Sequence, residues 1–156
     1  MISLGFFRIL EIELNQRIVH PLVRRLDWDT LPRPTGRILQ NLLPKIKKVR
    51  DGNTSGLELG AIYHLLNQTR DPRPDEQISQ VLHDAIKASL NDIGQIAYKQ
   101  GKLEDLIGDE ARETYRNPPA HSRFLPLSVA TACKEYVEKA LEVIIEGTAK
   151  NIPAAG

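Results

Sequence analysis

Apolar residues recur every three or four positions along most of the chain, which is the spacing of one helix face. No segment of useful length alternates apolar and polar residues as a half-buried strand would, and no repeat period appears. The pattern therefore predicts an all-α fold, a bundle of about five or six helices joined by short loops. The predicted helices cover residues 3–26, 37–50, 56–69, 75–99, 102–115 and about 127–147.

Proline, glycine and capping residues refine these predicted helices. Pro21 lacks a backbone donor, so it should kink or interrupt the first helix at the preceding residue. Ser55 and Glu58 have the Ser-x-x-Glu spacing of a capping box, which predicts the start of the third helix. Gly94 indicates close packing within the fourth helix, and Gly147 should cap the end of the last one.

The length of 156 residues suits one domain with a single core. We expect one helical domain over residues 1–150 and a flexible tail over residues 151–156. Hydrophobic residues make up 41% of the chain and charged residues 26%, which is typical of soluble globular proteins. Arg8 and Glu11 interrupt the apolar start, and no run reaches membrane-spanning length, so we expect no membrane association and a cytoplasmic location.

The charge distribution gives only weak information on partners. The net charge is +1, with +4 on residues 1–75 and −3 on residues 76–156, so no domain-wide basic footprint exists. The densest basic run lies on the predicted helix 37–50, and we interpret it as a solvated helix face. Aromatic residues make up only 5% of the chain, which argues against a stacking platform for single-stranded nucleic acid.

The sequence offers little for a metal or cofactor site. Cys133 is the only cysteine, which excludes an intramolecular disulfide and a cysteine-based metal cluster, and it is interpreted as a small core residue. The four histidines lie on different segments without ligand spacing, and neither a Gly-rich phosphate loop nor a Gly-x-Ser-x-Gly elbow is present. We therefore predict no metal and no cofactor.

One segment between two predicted helices, residues 115–123, concentrates candidate chemistry. It contains Arg116, Asn117 and His121 around the pair Pro118-Pro119. The prolines should end the preceding helix near Arg116, while Asn117 suits an N-cap and Pro118 the first position of a new helical turn. Arginine grips phosphate, and the positive end of the new helix would favour a neutral His121 that can act as a base.

The spacing Arg116-Asn117-x3-His121, placed before the last long helix of a helical chain, resembles the signature of the HEPN superfamily. The resemblance implies a HEPN-like helical fold and metal-independent RNA cleavage in a homodimer, with two copies of the motif at the two-fold axis. On this resemblance Arg116, Asn117 and His121 are the catalytic residues. A polar residue of the first helix helps build the site in several relatives, which makes Glu13 a possible accessory residue, and Arg123 is a second one.

In the implied reaction a ribose 2′-OH attacks the adjacent phosphate. His121 moves a proton, Arg116 neutralises charge on the phosphorane-like transition state, and Asn117 orients the arginine or a phosphate oxygen. The protein would then be an endoribonuclease of a toxin or defence type. Its partners would be a second copy, an RNA substrate, and an antitoxin or a fused effector or sensor domain.

Two other interpretations stay open at this point. The segment can belong to a non-catalytic RNA- or nucleotide-binding module, or the chain can be a dimerisation or adaptor domain of a larger defence or signalling protein. Asn-Pro-Pro is also an ordinary helix stop and restart, in which Arg116 caps a helix and His121 bonds a backbone carbonyl.

Overall fold

The computed structural model describes the backbone of residues 2–111, 113 and 127–149, and the side chains of these residues from Gly5 onward. This part of the chain is helical and contains no strand, so the prediction of an all-α bundle is confirmed. None of its helices is both long and apolar enough to cross a membrane. The helices are α1 (Ile2–Leu14), α2 (His20–Arg25), α3 (Arg37–Arg50), α4 (Leu59–Thr69), α5 (Gln77–Lys87), α6 (Asp92–Lys99), α7 (Lys102–Asp105), α8 (Asp109–Ala111) and α9 (Leu127–Thr148).

A π-helical turn, Asn15–Val19, joins α1 to α2. The first helix was predicted to be kinked or interrupted at the residue before Pro21, and the interruption lies in this π-helical turn. Pro21 has no N–H, and its ring crowds the carbonyl four residues back, so a wider turn at this place relieves the clash. The backbone N–H of His20 donates to the carbonyl of Asn15, five residues earlier. The wider turn lies beside the buried side chain of Asn15.

The Asn15 side chain joins this turn to the loop before α4. Its Nδ2 donates to the Leu57 carbonyl over 2.8 Å, and its Oδ1 accepts from the Leu57 N–H over 2.7 Å. The pair satisfies both backbone groups of a buried residue and holds the loop extended. The capping box predicted at Ser55 and Glu58 is therefore wrong. Glu58 is the extended N-cap residue, it makes no side-chain cap bond, and α4 begins at Leu59.

The fourth predicted helix, 75–99, is two helices, because the chain turns between α5 and α6. The side chain of Asn91 accepts from the Gly94 N–H and donates to the carbonyls of Glu146 and Ala149 on the other side of the interface with α9. These bonds cap α6 and fix its start against the end of α9. Ile93, on the first turn of α6, is 55% exposed.

The last helix packs along α1 and the π turn that follows it, and two contacts mark this interface. The rings of Phe7 and Tyr136 stack with centroids 6.1 Å apart, and Arg17 Nη1 donates to Thr148 Oγ1 over 3.3 Å. Residue numbers rise together in these pairs, so α1 and α9 run parallel. The predicted bounds of the last helix hold to within one residue.

The backbones of α6 and α9 touch at Gly94 and Gly147. A Cβ on Gly94 would overlap the Gly147 carbonyl oxygen, and a Cβ on Gly147 would lie 2.9 Å from Gly94 Cα. The close packing predicted for Gly94 is thus confirmed. Gly147 was predicted to cap the last helix, but it lies inside α9, where its small size permits this contact.

The core fills the space between these helices with fully or nearly fully buried apolar side chains, and it includes the predicted core residue Cys133. Its largest members come from α1, the π turn and α2 to α6: Phe7, Leu10, Leu14, Ile18, Leu22, Ile46, Leu59, Ile62, Leu65, Leu66, Ile78 and Tyr98. Trp28 packs on this core from the loop 27–36 and donates through Nε1 to the Val23 carbonyl.

Glu76 ties the start of α3 to the loop before α5. Its buried carboxylate accepts from the N–H groups of Thr35 and Gly36 over 2.9 Å each, and from the Thr35 hydroxyl. Burial opposes ionisation of Glu76, but these hydrogen bonds and the charge of Arg73 outweigh it and lower the pKa of the carboxyl. The ionised carboxylate also lies at the positive end of α3.

We expect Gly94→Ala to destabilise the fold by about 2 kcal/mol or more, because the new methyl group cannot coexist with the Gly147 carbonyl. Urea unfolding followed by circular dichroism measures the effect. Gly5→Ala is the matched control, since a Cβ there meets nothing within 4 Å and alanine favours a helix. An unfolding midpoint for Gly94→Ala equal to that of wild type would contradict the contact.

The Glu76 carboxyl should make stability depend on acid pH. Because its pKa is lower in the folded chain than its ordinary value of 4.5, its contribution is complete above pH 4.5 and is lost as pH falls through the folded value. Glu76→Gln should therefore lower the free energy of unfolding at pH 7 and make it fall less steeply in acid. Glu58→Gln, at an exposed glutamate, is the control. Parallel curves for wild type and Glu76→Gln would rule out this role.

Candidate functional site

The segment with the predicted catalytic residues joins two anchored parts of the bundle. Arg116, Asn117, His121 and Arg123 themselves lie outside the described residues. Before them, the short helix α8 ends at a buried alanine, and after them α9 begins. Tyr136 of α9 donates through its hydroxyl to the Leu106 carbonyl over 2.7 Å, which holds α9 against the turn that leads into α8.

The possible accessory residue Glu13 lies on α1 and forms an ion pair with Arg17. Arg17 Nε is 2.7 Å from Glu13 Oε2, and the same guanidinium bonds Thr148 at the end of α9. Thr148 is separated from Leu127, where α9 begins, by 21 residue steps, which is about 30 Å along a helix. Glu13 thus lies near the end of α9, and through Arg17 it is linked to Thr148; its prediction as an accessory residue of the catalytic site stays a prediction.

The most developed polar cluster in the described part of the chain surrounds the end of α4. The buried Thr69 hydroxyl donates to the Leu65 carbonyl over 2.6 Å, so the Tyr98 hydroxyl at 2.5 Å must donate to Thr69. The Thr69 carbonyl lies 2.7 Å from His83 Nδ1. Since a carbonyl only accepts, Nδ1 carries the proton, and Nε2 is the ring nitrogen that Thr69 does not engage.

The buried ring of Tyr98 packs against this cluster from the protein interior. It stacks on His83 with centroids 5.4 Å apart and an angle of 28° between the rings. Burial raises the pKa of the Tyr98 phenol well above its ordinary value; the hydrogen bond with Thr69 opposes this shift, and the charges of Glu104 and Asp84 add to it. Tyr98 is therefore a neutral, fixed donor, and its role at this place is to position Thr69 and His83.

Arg70, which follows Thr69, is oriented by a buried carboxylate. Its Nε lies 2.5 Å from Glu104 Oε1, in a charge contact without the direction of a hydrogen bond. The Glu104 side chain is 4% exposed and that of Arg70 is 37% exposed, so the pair extends from the interior to the surface. Gly101 makes room for Glu104: it has a φ of 77°, and a Cβ there would lie 2.9 Å from Oε1.

A surface cleft of about 710 Å³ opens over this cluster, between the end of α4, α5 and α6. This volume lies in the range of small-molecule sites. Besides the neutral phenol of Tyr98, the ionisable groups on its lining are Arg70, Asp71, His83, Lys87, Asp92 and Lys99. Guanidinium and ammonium groups around a polar floor can bind an anion, and the arrangement places them within one concave surface.

Sequence reasoning did not find this cleft. His83 has no ligand spacing to the other three histidines, and the other residues of the cluster form no local motif. Two signals were present, because Thr69 and Glu104 each occupy a buried stripe: Thr69 follows Leu65 by four residues, and Glu104 precedes Ile107 by three. A carboxylate on such a stripe indicates a buried partner. The identity of that partner, Arg70, depends on how α4 and α7 pack.

Comparisons with protein-family models, with curated proteins and with solved structures give no match for the chain. Among the described residues, no three histidine, cysteine, aspartate or glutamate side chains are grouped to hold a metal ion. The resemblance of residues 116–121 to the HEPN signature remains a prediction from sequence.

We expect Glu13→Gln to lower stability by about 0–1 kcal/mol, as is typical of a half-exposed ion pair, and to leave any RNA cleavage by the protein at the wild-type rate. Thermal unfolding and a cleavage assay on the same samples provide the two readouts. Arg17→Gln removes the same ion pair from the other side and is the matched control. Loss of cleavage in Glu13→Gln alone, with an unchanged unfolding temperature, would instead support Glu13 as an accessory residue of the site.

Proposed function

We propose that the protein is a metal-independent endoribonuclease of a toxin or defence type, which acts as a homodimer. The observation that carries the proposal is the sequence Arg116-Asn117-x3-His121, which stands immediately before the last long helix of an all-α bundle. Support comes from the resemblance of this motif to the HEPN signature and from the helical fold around it. Arg116, Asn117 and His121 would form the catalytic set.

The residue types fit cleavage of RNA by its own 2′-hydroxyl. The 2′-oxygen bonds to phosphorus while the bond to the 5′-oxygen breaks, which leaves a 2′,3′-cyclic phosphate on one product and a 5′-hydroxyl on the other. A neutral imidazole of His121 accepts the 2′-OH proton, and an imidazolium donates one to the leaving oxygen. Arg116 neutralises the charge on the equatorial phosphate oxygens, and no step needs a metal ion.

One chain supplies one arginine and one histidine in this motif, whereas the reaction uses both a base and an acid. Two motifs that meet at a two-fold axis would provide a histidine for each role. The dimer is therefore part of the proposal, and a monomeric form should be inactive. An antitoxin or a fused sensor domain would regulate such a nuclease by covering or separating the two motifs.

The test is cleavage of varied RNAs in EDTA by wild type and His121→Ala, with the mass of each species measured by light scattering. We expect His121→Ala to reduce the rate about 10²–10⁴-fold and Arg116→Ala about 10²–10³-fold, while both stay dimeric. His64→Ala, which removes an exposed histidine of α4, is the control and should cleave normally.

Analysis of the product ends shows which reaction has cleaved the RNA. Cyclic phosphates that depend on His121 identify the proposed reaction, whereas cleavage that persists in His121→Ala points to a contaminant. If folded wild-type dimer leaves every RNA intact, the nuclease proposal is wrong. RNA binding that still depends on Arg116 would then favour the non-catalytic binding module.

A further inference from the structure

The cleft at the end of α4 contains one positively charged side chain that is fixed in place, Arg70, and two exposed lysines. Arg70 is held at its base by the buried Glu104 carboxylate, 2.5 Å from its Nε, so the guanidinium loses little freedom on binding a ligand. Lys87 and Lys99 are exposed on α5 and α6, line the same cleft, and form no ion pair within the described residues. A fixed guanidinium group and two flexible ammonium groups together suit an anion with several terminal oxygens, such as a phosphate.

The polar floor adds a further fixed group. His83 also lines the cleft, and its Nδ1–H donates to the Thr69 carbonyl, which fixes the ring. The Nε2 atom is then the one available for a ligand, as an acceptor in neutral imidazole and a donor in imidazolium. Stacking on Tyr98 holds the ring plane. The donors around this floor therefore have defined positions before any ligand arrives.

Two carboxylates distinguish this cleft from a uniform basic patch. Asp71 and Asp92 line it together with the cations, and neither forms an ion pair within the described residues. Carboxylates only accept hydrogen bonds at neutral pH, so they suit the hydroxyl groups of a ligand. The volume of about 710 Å³ also exceeds what a phosphate ion alone would fill.

We propose that this cleft binds a phosphate monoester carried on a sugar. Arg70, Lys87 and Lys99 contact the phosphate, and Asp71 and Asp92 accept hydrogen bonds from the sugar hydroxyls. The proposal rests on cleft residues of α4, α5 and α6 and on the loop after α4, not on the residues of the nuclease motif, so the two proposals can be tested separately. The same chemistry occurs in a free sugar phosphate and in the 5′-phosphorylated end of an RNA chain.

Isothermal titration calorimetry of the full chain with ribose 5-phosphate tests the site, with ribose and inorganic phosphate as partial probes. We expect ribose 5-phosphate to bind more tightly than either partial probe. The double variant Lys87→Gln/Lys99→Gln should bind it about tenfold or more weakly, because two charge-assisted contacts are lost. Both lysines are exposed, so the variant should fold as wild type does.

The matched control is Lys45→Gln/Lys48→Gln, which removes two exposed lysines of α3 outside this cleft and gives the same net charge. It should bind as wild type does. An equal loss of affinity in the two double variants would reduce the effect to net charge and overturn the proposal. Absence of binding of ribose 5-phosphate and of the RNA probes below would overturn it as well.

A second arm separates the two sources of the ligand. The probes are oligoribonucleotides with either a 5′-phosphate or a 5′-hydroxyl. Their 5′-terminal ribose keeps its 2′-hydroxyl for the carboxylates, and all other riboses carry 2′-O-methyl groups, which block cleavage at every linkage except the first. A 5′-phosphate preference that is lost in Lys87→Gln/Lys99→Gln and stronger than binding of ribose 5-phosphate identifies an RNA end. Equal affinity for both oligonucleotides, together with binding of ribose 5-phosphate, identifies a free sugar phosphate.

Discussion

The contact between the backbones of Gly94 and Gly147 determines how the last helix sits in the bundle. Two helices approach this closely only where neither carries a side chain, so the contact fixes the position of α9 along α6. The hydrogen bonds of Asn91 to the end of α9 strengthen the same junction. Helix α9 also packs along α1. The position of its first residue, where the predicted catalytic segment joins it, therefore depends on the contact at its last turns.

The sequence predicted the helices well because their periodicity reports burial, and burial follows from one continuous core. Its failures occur where a polar side chain bonds across the fold. Asn15 holds Leu57 from 42 positions away, which delays the start of α4, and Asn91 bonds α9 from 55 and 58 positions away, which divides the fourth predicted helix. No local pattern contains these partners, so local capping signals such as Ser55 were misleading.

The two places with candidate chemistry differ in how far they can be read from sequence. Arg116, Asn117 and His121 lie within six consecutive residues, so their spacing is visible in the chain. The cleft residues come from the end of α4, from α5 and from α6, and they meet only after folding. Thr69 and Glu104, polar residues on buried stripes, are the available signals, and Glu104 indicates a buried pair without naming Arg70.

Helix α6 takes part both in the Gly94–Gly147 contact with α9 and in the cleft, so few substitutions in it affect only one of the two. Gly94 near its start sets the position of α9, while Tyr98 and Lys99 at its end form the floor and wall of the cleft. A buried substitution in α6 would disturb the last helix and the cleft together. Exposed lysines on the cleft wall carry no packing, so their loss changes binding while the helix junction stays intact. A ligand in the cleft would hold the end of α6 against α4 and α5, and would thereby stabilise the support on which α9 rests.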